Sequence, residues 1–403
     1  MNKRLNYIGV LALLLFAACG NEKKTEQQEV KKVSTPVVKT DTVKPIPEEQ
    51  FVECTSDSLN ELAKMIAGIK EEQAKVLGNA FSDPAFKAHS ASWNKKWLQF
   101  DITRMVKLQA FRNNEIAVNV GKTKTVFYPF SGPDILYGYT FFPDADQYIL
   151  MGLEPVGTRP LYDEPKEERD SLQKYFAKIN TSLYAILQFS FFRTASMSVD
   201  LKNEKLDGTL HLLMLFLART GNTICDVQPV VIDTMGEVKH IASFIKLKTV
   251  KSSNKGIEIK FTSVDKKNKT LYYYSTNLAD GGLKHNKGLL KYLNNIGEFN
   301  TYLKGASYLM HKDYFSVVRN FILKQSRHVV QDDSGIAFHY FEKEGNWEYK
   351  FYGSYMHPIP MFSDFYQADL DSLYKVKGSK DIGFGIGYNF KDRNSNFMIA
   401  TRK

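Results

Sequence analysis

Two short groups of residues carry side chains from which a site could be built. The first is Phe127-Tyr128-Pro129-Phe130-Ser131-Gly132-Pro133-Asp134, followed about two dozen residues later by Gly152-Leu153-Glu154-Pro155. A loop of small residues lets a ligand approach the backbone, Ser131, Gly132 and Asp134 supply polar contacts, and a carboxylate such as Glu154 at the end of a neighbouring strand can hold ribose hydroxyls. Gly132 is the only glycine of that loop and Pro133 removes an N–H donor, so no cofactor is expected there. The second group, Asp332-Asp333-Ser334-Gly335, could set two carboxylates at a strand end as acid/base groups or ligands of a divalent cation. A solvated polar turn uses the same residues, and helix or turn caps would equally employ Ser131, Asp134 and Glu154. His311 and His328 are candidate bases, and Ser131 is a nucleophile only if a base lies within hydrogen-bond reach. Catalytic residues are therefore not assigned.

Several letter patterns exclude chemistry. Gly383-Phe384-Gly385-Ile386-Gly387-Tyr388 lacks the Lys-Ser/Thr and the following helix of a phosphate loop, and alternates as a strand does. No Gly-x-Ser-x-Gly elbow occurs, and three cysteines at these spacings make no zinc signature, so no metal is expected. His89, Trp93 and Trp97 lie four apart on one helix face, a stripe that reads as core packing before it reads as a lid.

The elements that must position these groups follow from periodicity. Leu59, Leu62, Ile66, Ile69 and Leu77 predict an amphipathic helix over 57–80, and Ser82-Asp83-Pro84 caps a second over 85–112. Thr125–Phe130, a helix over 135–142, and Gln147–Leu153 make strand, polar loop, helix and strand, the footprint of a βαβ unit. A long helix is expected over 166–193, a buried strand over Leu210–Leu217, and further strands over Pro229–Asp233, Gly256–Thr262 and Thr270–Thr276. Helices are expected over 287–304 and 312–326, with a short strand at Arg327–Gln331. Trp347–Tyr355, Ile382–Phe390 and Phe397–Thr401 read as an antiparallel, β-rich close without a crossover helix. The expected fold is α/β, a Rossmann-like mixed sheet, mostly parallel with an antiparallel C-terminal edge, preceded by N-terminal helices over 51–115. One domain is expected over 51–403.

The Phe127–Asp134 loop and its following Glu154 resemble the first motif of the class I S-adenosylmethionine-dependent methyltransferase fold. The resemblance extends to Tyr272-Tyr273-Tyr274-Ser275-Thr276-Asn277 as a fourth strand and loop, to Val329-Val330-Gln331-Asp332-Asp333 as a fifth, and to the C-terminal pair, about 270 residues in all. It implies a pocket at the strand ends near Phe130, Leu153, Thr276 and Gln331. The same segments are similar to a set of bacterial proteins that share a Tyr-Pro-Phe-Gly/Ser-Gly loop and a later Leu-Glu-Pro, which implies kinship without an activity.

The N-terminus supplies an address. Lys3-Arg4 precedes an apolar run from Tyr7 to Ala18, too short for a bilayer-spanning helix and right for a signal peptide over 1–18. Phe16-Ala17-Ala18-Cys19-Gly20 resembles the lipobox of bacterial lipoproteins, which implies acylation of Cys19 and attachment to a membrane of the bacterial cell envelope, on its periplasmic or outer-membrane face. Residues 19–50 carry six lysines against six acids and no aromatic, the composition of a flexible tether. Of the formal +10 on 403 residues, the body from Phe51 keeps +8. That charge fits anionic lipid or glycan headgroups at such an address, plain solubility accounts for it before any charge-driven partner does, and no nucleic-acid partner is expected. Cys54 and Cys225 could pair in an oxidising compartment or serve as small buried residues. The composition, 43% hydrophobic and 13% aromatic, excludes disordered and collagen-like chains. Together these readings predict a lipid-anchored ligand-binding or structural protein; the alternative is an envelope hydrolase or transferase using Ser131 or Asp332/Asp333.

Overall fold

The computed structural model describes residues 54, 56–157, 172–181, 202–203, 206–252, 254–390 and 394–403. The signal peptide, Cys19 and the tether lie outside them, as does most of the helix expected over 166–193, of which 172–181 are described and helical.

The protein is α/β. A ten-stranded mixed sheet is built from β1 (Thr125–Pro129), β2 (Gln147–Gly152), β5 (Thr223–Ile232), β6 (Val238–His240), β7 (Lys255–Thr262), β8 (Asn268–Ser275), β9 (Phe299–Leu303), β10 (Ser326–Gln331), β11 (Trp347–Gly353) and β12 (Asn396–Arg402). A separate ribbon pairs β3 (Lys202–Asn203) with β4 (Leu206–Asp207). Across the large sheet the order is β11-β12-β10-β9-β1-β2-β8-β7-β5-β6. Strands β10, β9, β1, β2 and β8 run parallel to one another, while β7, β5, β6 on one side and β12, β11 on the other join by antiparallel pairing. The expectation of a mostly parallel sheet is therefore corrected, because an antiparallel meander extends the parallel core at the edge beyond β8 as well as at the C-terminal edge. From β1 the chain winds outward through β2 to β8, then returns to lay β9 on the other side of β1.

The central strands are buried on both faces, which explains their unbroken apolar runs. On β1, Val126 and Tyr128 face one core and Phe127 the other; on β2, Tyr148 and Leu150 oppose Ile149 and Met151. The first core is covered by α1 (Asp57–Ile66), α2 (Pro84–Phe100), α3 (Ile135–Phe141) and α4 (Leu210–Arg219). The second is covered by α5 (Asp280–His285), α6 (Lys287–Asn295), α7 (Ser316–Gln325), α8 (Phe338–Glu344) and α9 (Ala368–Lys377).

Several expected elements differ. The helix over 57–80 is two: Gly68, at φ +66°, ends α1 with Gly68 N–H donating to Met65 O and Ile69 N–H to Lys64 O, and the buried Glu61 carboxylate then accepts from the N–H groups of Lys75, Val76 and Leu77. The second helix begins at Pro84 under an Asp83 cap and runs to Asn119 through two wide π turns, Asp101–Met105 and Arg112–Ile116. Leu210–Leu217 is a helix buried all round rather than a strand; an apolar run of this length has no periodicity with which to separate the two. The segment 287–304 is the helix α6 and then the strand β9, divided at Gly297 with φ +81°. Residues 382–390 form a glycine-rich loop rather than a strand, and α9 lies between β11 and β12, which pair antiparallel as expected of a close without a crossover helix. Cys54 and Cys225 form a disulfide with Cα atoms 4.7 Å apart, tying the start of the domain to β5.

Candidate functional site

The loops that follow β1, β2, β9 and β10 lie side by side at one end of the parallel core, so all six candidate residues come to that edge. Each is buried.

The loop after β1 turns sharply. Phe130 adopts φ +60°, an uncommon conformation for a bulky side chain, and Gly132 adopts φ +54°. Ser131 N–H donates to Met151 O at 3.0 Å, continuing the pairing with β2, and its Oγ donates to Gly132 O at 2.9 Å. These partners are carbonyls, which leaves Ser131 without the base that a nucleophile requires. Asp134 caps α3, accepting from Tyr137 N–H at 3.2 Å.

Glu154 folds back over this loop. A side-chain carbon on Gly152 would lie 2.3 Å from Glu154 Oε2, and one on Gly132 would lie 3.4 Å from Oε1, so both glycines make room for the carboxylate. Tyr273, on β8, donates its hydroxyl to Glu154 O at 2.8 Å and approaches Oε2 at 3.3 Å.

The residue joining the loops after β1 and β10 is Lys304, the first after β9. Its Nζ contacts Asp134 Oδ2 at 2.6 Å and lies 3.4 Å from the centre of the Tyr137 ring. Tyr128 donates its hydroxyl to the same carboxylate oxygen at 2.7 Å. Burial pushes the Asp134 carboxyl up and the Lys304 ammonium down, and each opposes the other's shift. A buried charge pair persists only with good geometry and extra hydrogen bonds, which Tyr128, the α3 N-terminus and the Tyr137 ring provide. The next residue, Gly305, donates its N–H to Asp332 Oδ2 at 2.9 Å. Lys304 and Gly305 thus hold the loop after β1 with a side chain and the loop after β10 with the backbone.

Asp332 and Asp333 take different partners. Asp332 accepts from Ser334 N–H at 3.0 Å and from the Ser334 hydroxyl, while Gly387 of the 383–388 loop packs on it; a side-chain carbon there would lie 2.2 Å from Oδ2. Asp333 accepts from the Tyr308 hydroxyl at 2.7 Å and from Asn396 Nδ2 at 3.0 Å. Burial first, and then the Asp332 charge, raise the Asp333 carboxyl to about 7. Ser307 and Tyr308 both sit in the left-handed region, at φ +54° and +52°, so three of the four non-glycine residues with positive φ among those described belong to these loops.

Neither histidine meets the role of a base beside these aspartates. His328 lies within β10 and turns Nδ1 to Asn300 Oδ1 at 2.9 Å, and His311 packs its ring against Tyr308 and Phe365; burial lowers both to about 4. His89 hydrogen-bonds Ile66 O at 2.9 Å and stacks on Phe176 at 4.1 Å, which makes its helix stripe core. The residues that sequence reasoning missed are Lys304, Tyr308, Tyr273 and Asn396. The signal for Lys304 was a polar residue closing the β-prone run Phe299–Leu303 just before Gly305, hidden by the helix assigned over it. Among the described residues no group of three metal-ligating side chains converges.

No protein-family model matches the chain, and neither a curated protein nor a solved structure is significantly similar to it.

Proposed function

We propose that this protein is a lipid-anchored component of the bacterial cell envelope whose body is a Rossmann-like domain, akin in layout to the class I methyltransferases, serving as a ligand-binding or structural module. Numbered in chain order, the parallel strands β1, β2, β8, β9 and β10 lie in the order 3-2-1-4-5, the order of doubly wound nucleotide-binding sheets. In such sheets ligands occupy the crevice where the winding reverses, which is here the gap between the loops after β1 and β9.

The observation that carries the reading is the Asp134–Lys304 pair in that gap. S-adenosylmethionine does not fit these residues: the loop has one glycine and a proline where a nucleotide needs donors. A crevice closed by its own ion pair supports a structural or binding role over methyl transfer. The rival, an envelope hydrolase or transferase using Asp332/Asp333, is favoured by one feature, the adjacency of two buried carboxylates whose Asp333 member is raised by burial and by the Asp332 charge.

Metabolic labelling with an acyl-chain analogue should mark the wild type and spare Cys19→Ala; equal labelling of both would remove the lipoprotein assignment. A thermal-shift screen of the full chain against nucleotides, sugars and divalent metals tests the crevice, since a ligand at 100 times its Kd stabilises by about 2.7 kcal/mol. A shift that disappears in Glu154→Ala places a ligand there. Turnover of a model ester or phosphoester that Asp333→Asn abolishes would install the enzyme instead.

A further inference from the structure

We infer that the outer face of the long N-terminal helix is a docking surface for an anionic phospholipid membrane; this rests on the reading of Cys19 as a lipid anchor and adds a second point of contact to it. Leu98, Ile102 and Val106 are 61%, 61% and 59% exposed, although the same helix already buries Trp93, Trp97, Phe100, Met105 and Leu108 in the core. Four-residue steps on an α-helix over-rotate by about 40°, so such a row drifts around the axis. The π turn over Asp101–Met105 rotates less per residue, which keeps the three side chains in line.

The charge beside the row selects the occupant. Lys87, Lys95 and Lys96 are exposed, and the only acid between 84 and 111, Asp101, is half-buried with its carboxyl pushed up by burial. Lysines flanking a row of apolar side chains match a headgroup layer, where the apolar residues enter the acyl boundary and the ammonium groups meet phosphate. Two copies packed row to row would bring these lysines together, which disfavours a dimer through this face. The chain's own path agrees. It enters the domain at Cys54 and passes into α1, against which α2 is held by Ser90 Oγ–H donating to Gly68 O at 2.8 Å and Asn94 Nδ2–H at 3.2 Å.

The test uses the full chain carrying Cys19→Ser, so that no acyl chain contributes, with flotation on phosphatidylethanolamine vesicles containing phosphatidylglycerol and on neutral phosphatidylcholine vesicles. Binding to the anionic vesicles should fall about tenfold in Leu98→Ser/Ile102→Ser/Val106→Ser and similarly in Lys95→Glu/Lys96→Glu, with unchanged melting of the variants. Equal binding of parent and variants, or none by the parent, overturns the proposal whatever acyl labelling shows. Row-dependent binding without acyl labelling of the Cys19 chain upholds the surface and removes the anchor. Concentration-dependent dimerisation lost in the triple variant assigns the row to a second copy and overturns the membrane.

Discussion

The ion pair of Asp134 and Lys304 makes a demanding prediction, because its two members fail in opposite directions of pH. In Lys304→Met the stem volume is kept but the carboxylate stays buried with Tyr128 Oη–H and Tyr137 N–H as its partners. Breaking one side of a buried pair costs roughly 3–5 kcal/mol. The folded pKa of Asp134, already raised, rises further above its unfolded value near 4, so the variant loses about 1.4 kcal/mol for each pH unit climbed between the two values. Its deficit against wild type is therefore smaller at pH 5 than at pH 8. Asp134→Asn keeps the helix cap and strands Lys304, whose depressed pKa gives the reverse slope: the deficit shrinks as pH rises through the folded value. The double variant carries a neutral pair and should recover to within about 2 kcal/mol of wild type, which with single deficits of about 3 kcal/mol or more is a coupling of at least about 4 kcal/mol. Urea-unfolding midpoints for the four proteins at pH 5, 7 and 9 measure all of this. Deficits that add to within about 0.5 kcal/mol, or pH slopes of one sign in both single variants, would refute the argument that the crevice is held shut by charge.

Three further outcomes are expected. Because burial and the Asp332 charge raise the Asp333 carboxyl in the fold, wild type should lose roughly 2 kcal/mol relative to Asp333→Asn as pH rises from 5 to 7, read from denaturation midpoints. Gly387→Ala, at φ +68° and with its new carbon 2.2 Å from Asp332, should cost more than about 2 kcal/mol, against about 1 kcal/mol for Gly383→Ala, at φ +70° with open space around it; equal losses would show that Asp332 yields freely. Replacing Cys54 and Cys225 by alanine reopens a loop of 171 residues and should cost roughly 2–5 kcal/mol in the same assay; thiol titration of the unfolded wild type should find this pair oxidised.

What could be read from residue patterns followed physical rules of differing strength. The β1, α3 and β2 unit was legible because turn chemistry at Ser131–Asp134 divides two apolar runs, and β10 because Asp332-Asp333 ends one. The edge strand β11 and its partner β12 were legible from alternation between glycine turns. The helix α4 was not, since Leu210–Leu217 is buried on every side and carries no polar stripe. Strand β9 was lost for a related reason. Its five residues continue the apolar spacing of α6, and only Gly297 marks the break. With β9 went Lys304, so the acids of the crevice were visible while the base that neutralises Asp134 was not.

The position of β9 also governs the order in which this chain can complete its sheet. Strand β1 finds β2 after one short crossover through α3, yet its other neighbour begins at Phe299, far downstream of Thr125. Until that stretch arrives, β1 presents an open row of backbone donors and acceptors beside apolar side chains, the kind of edge on which nascent chains associate. Closure must wait for a contact of long sequence separation, which makes folding slow. A chain that emerges from its N-terminus therefore exposes this edge of β1 for the whole interval between the synthesis of β2 and that of β9.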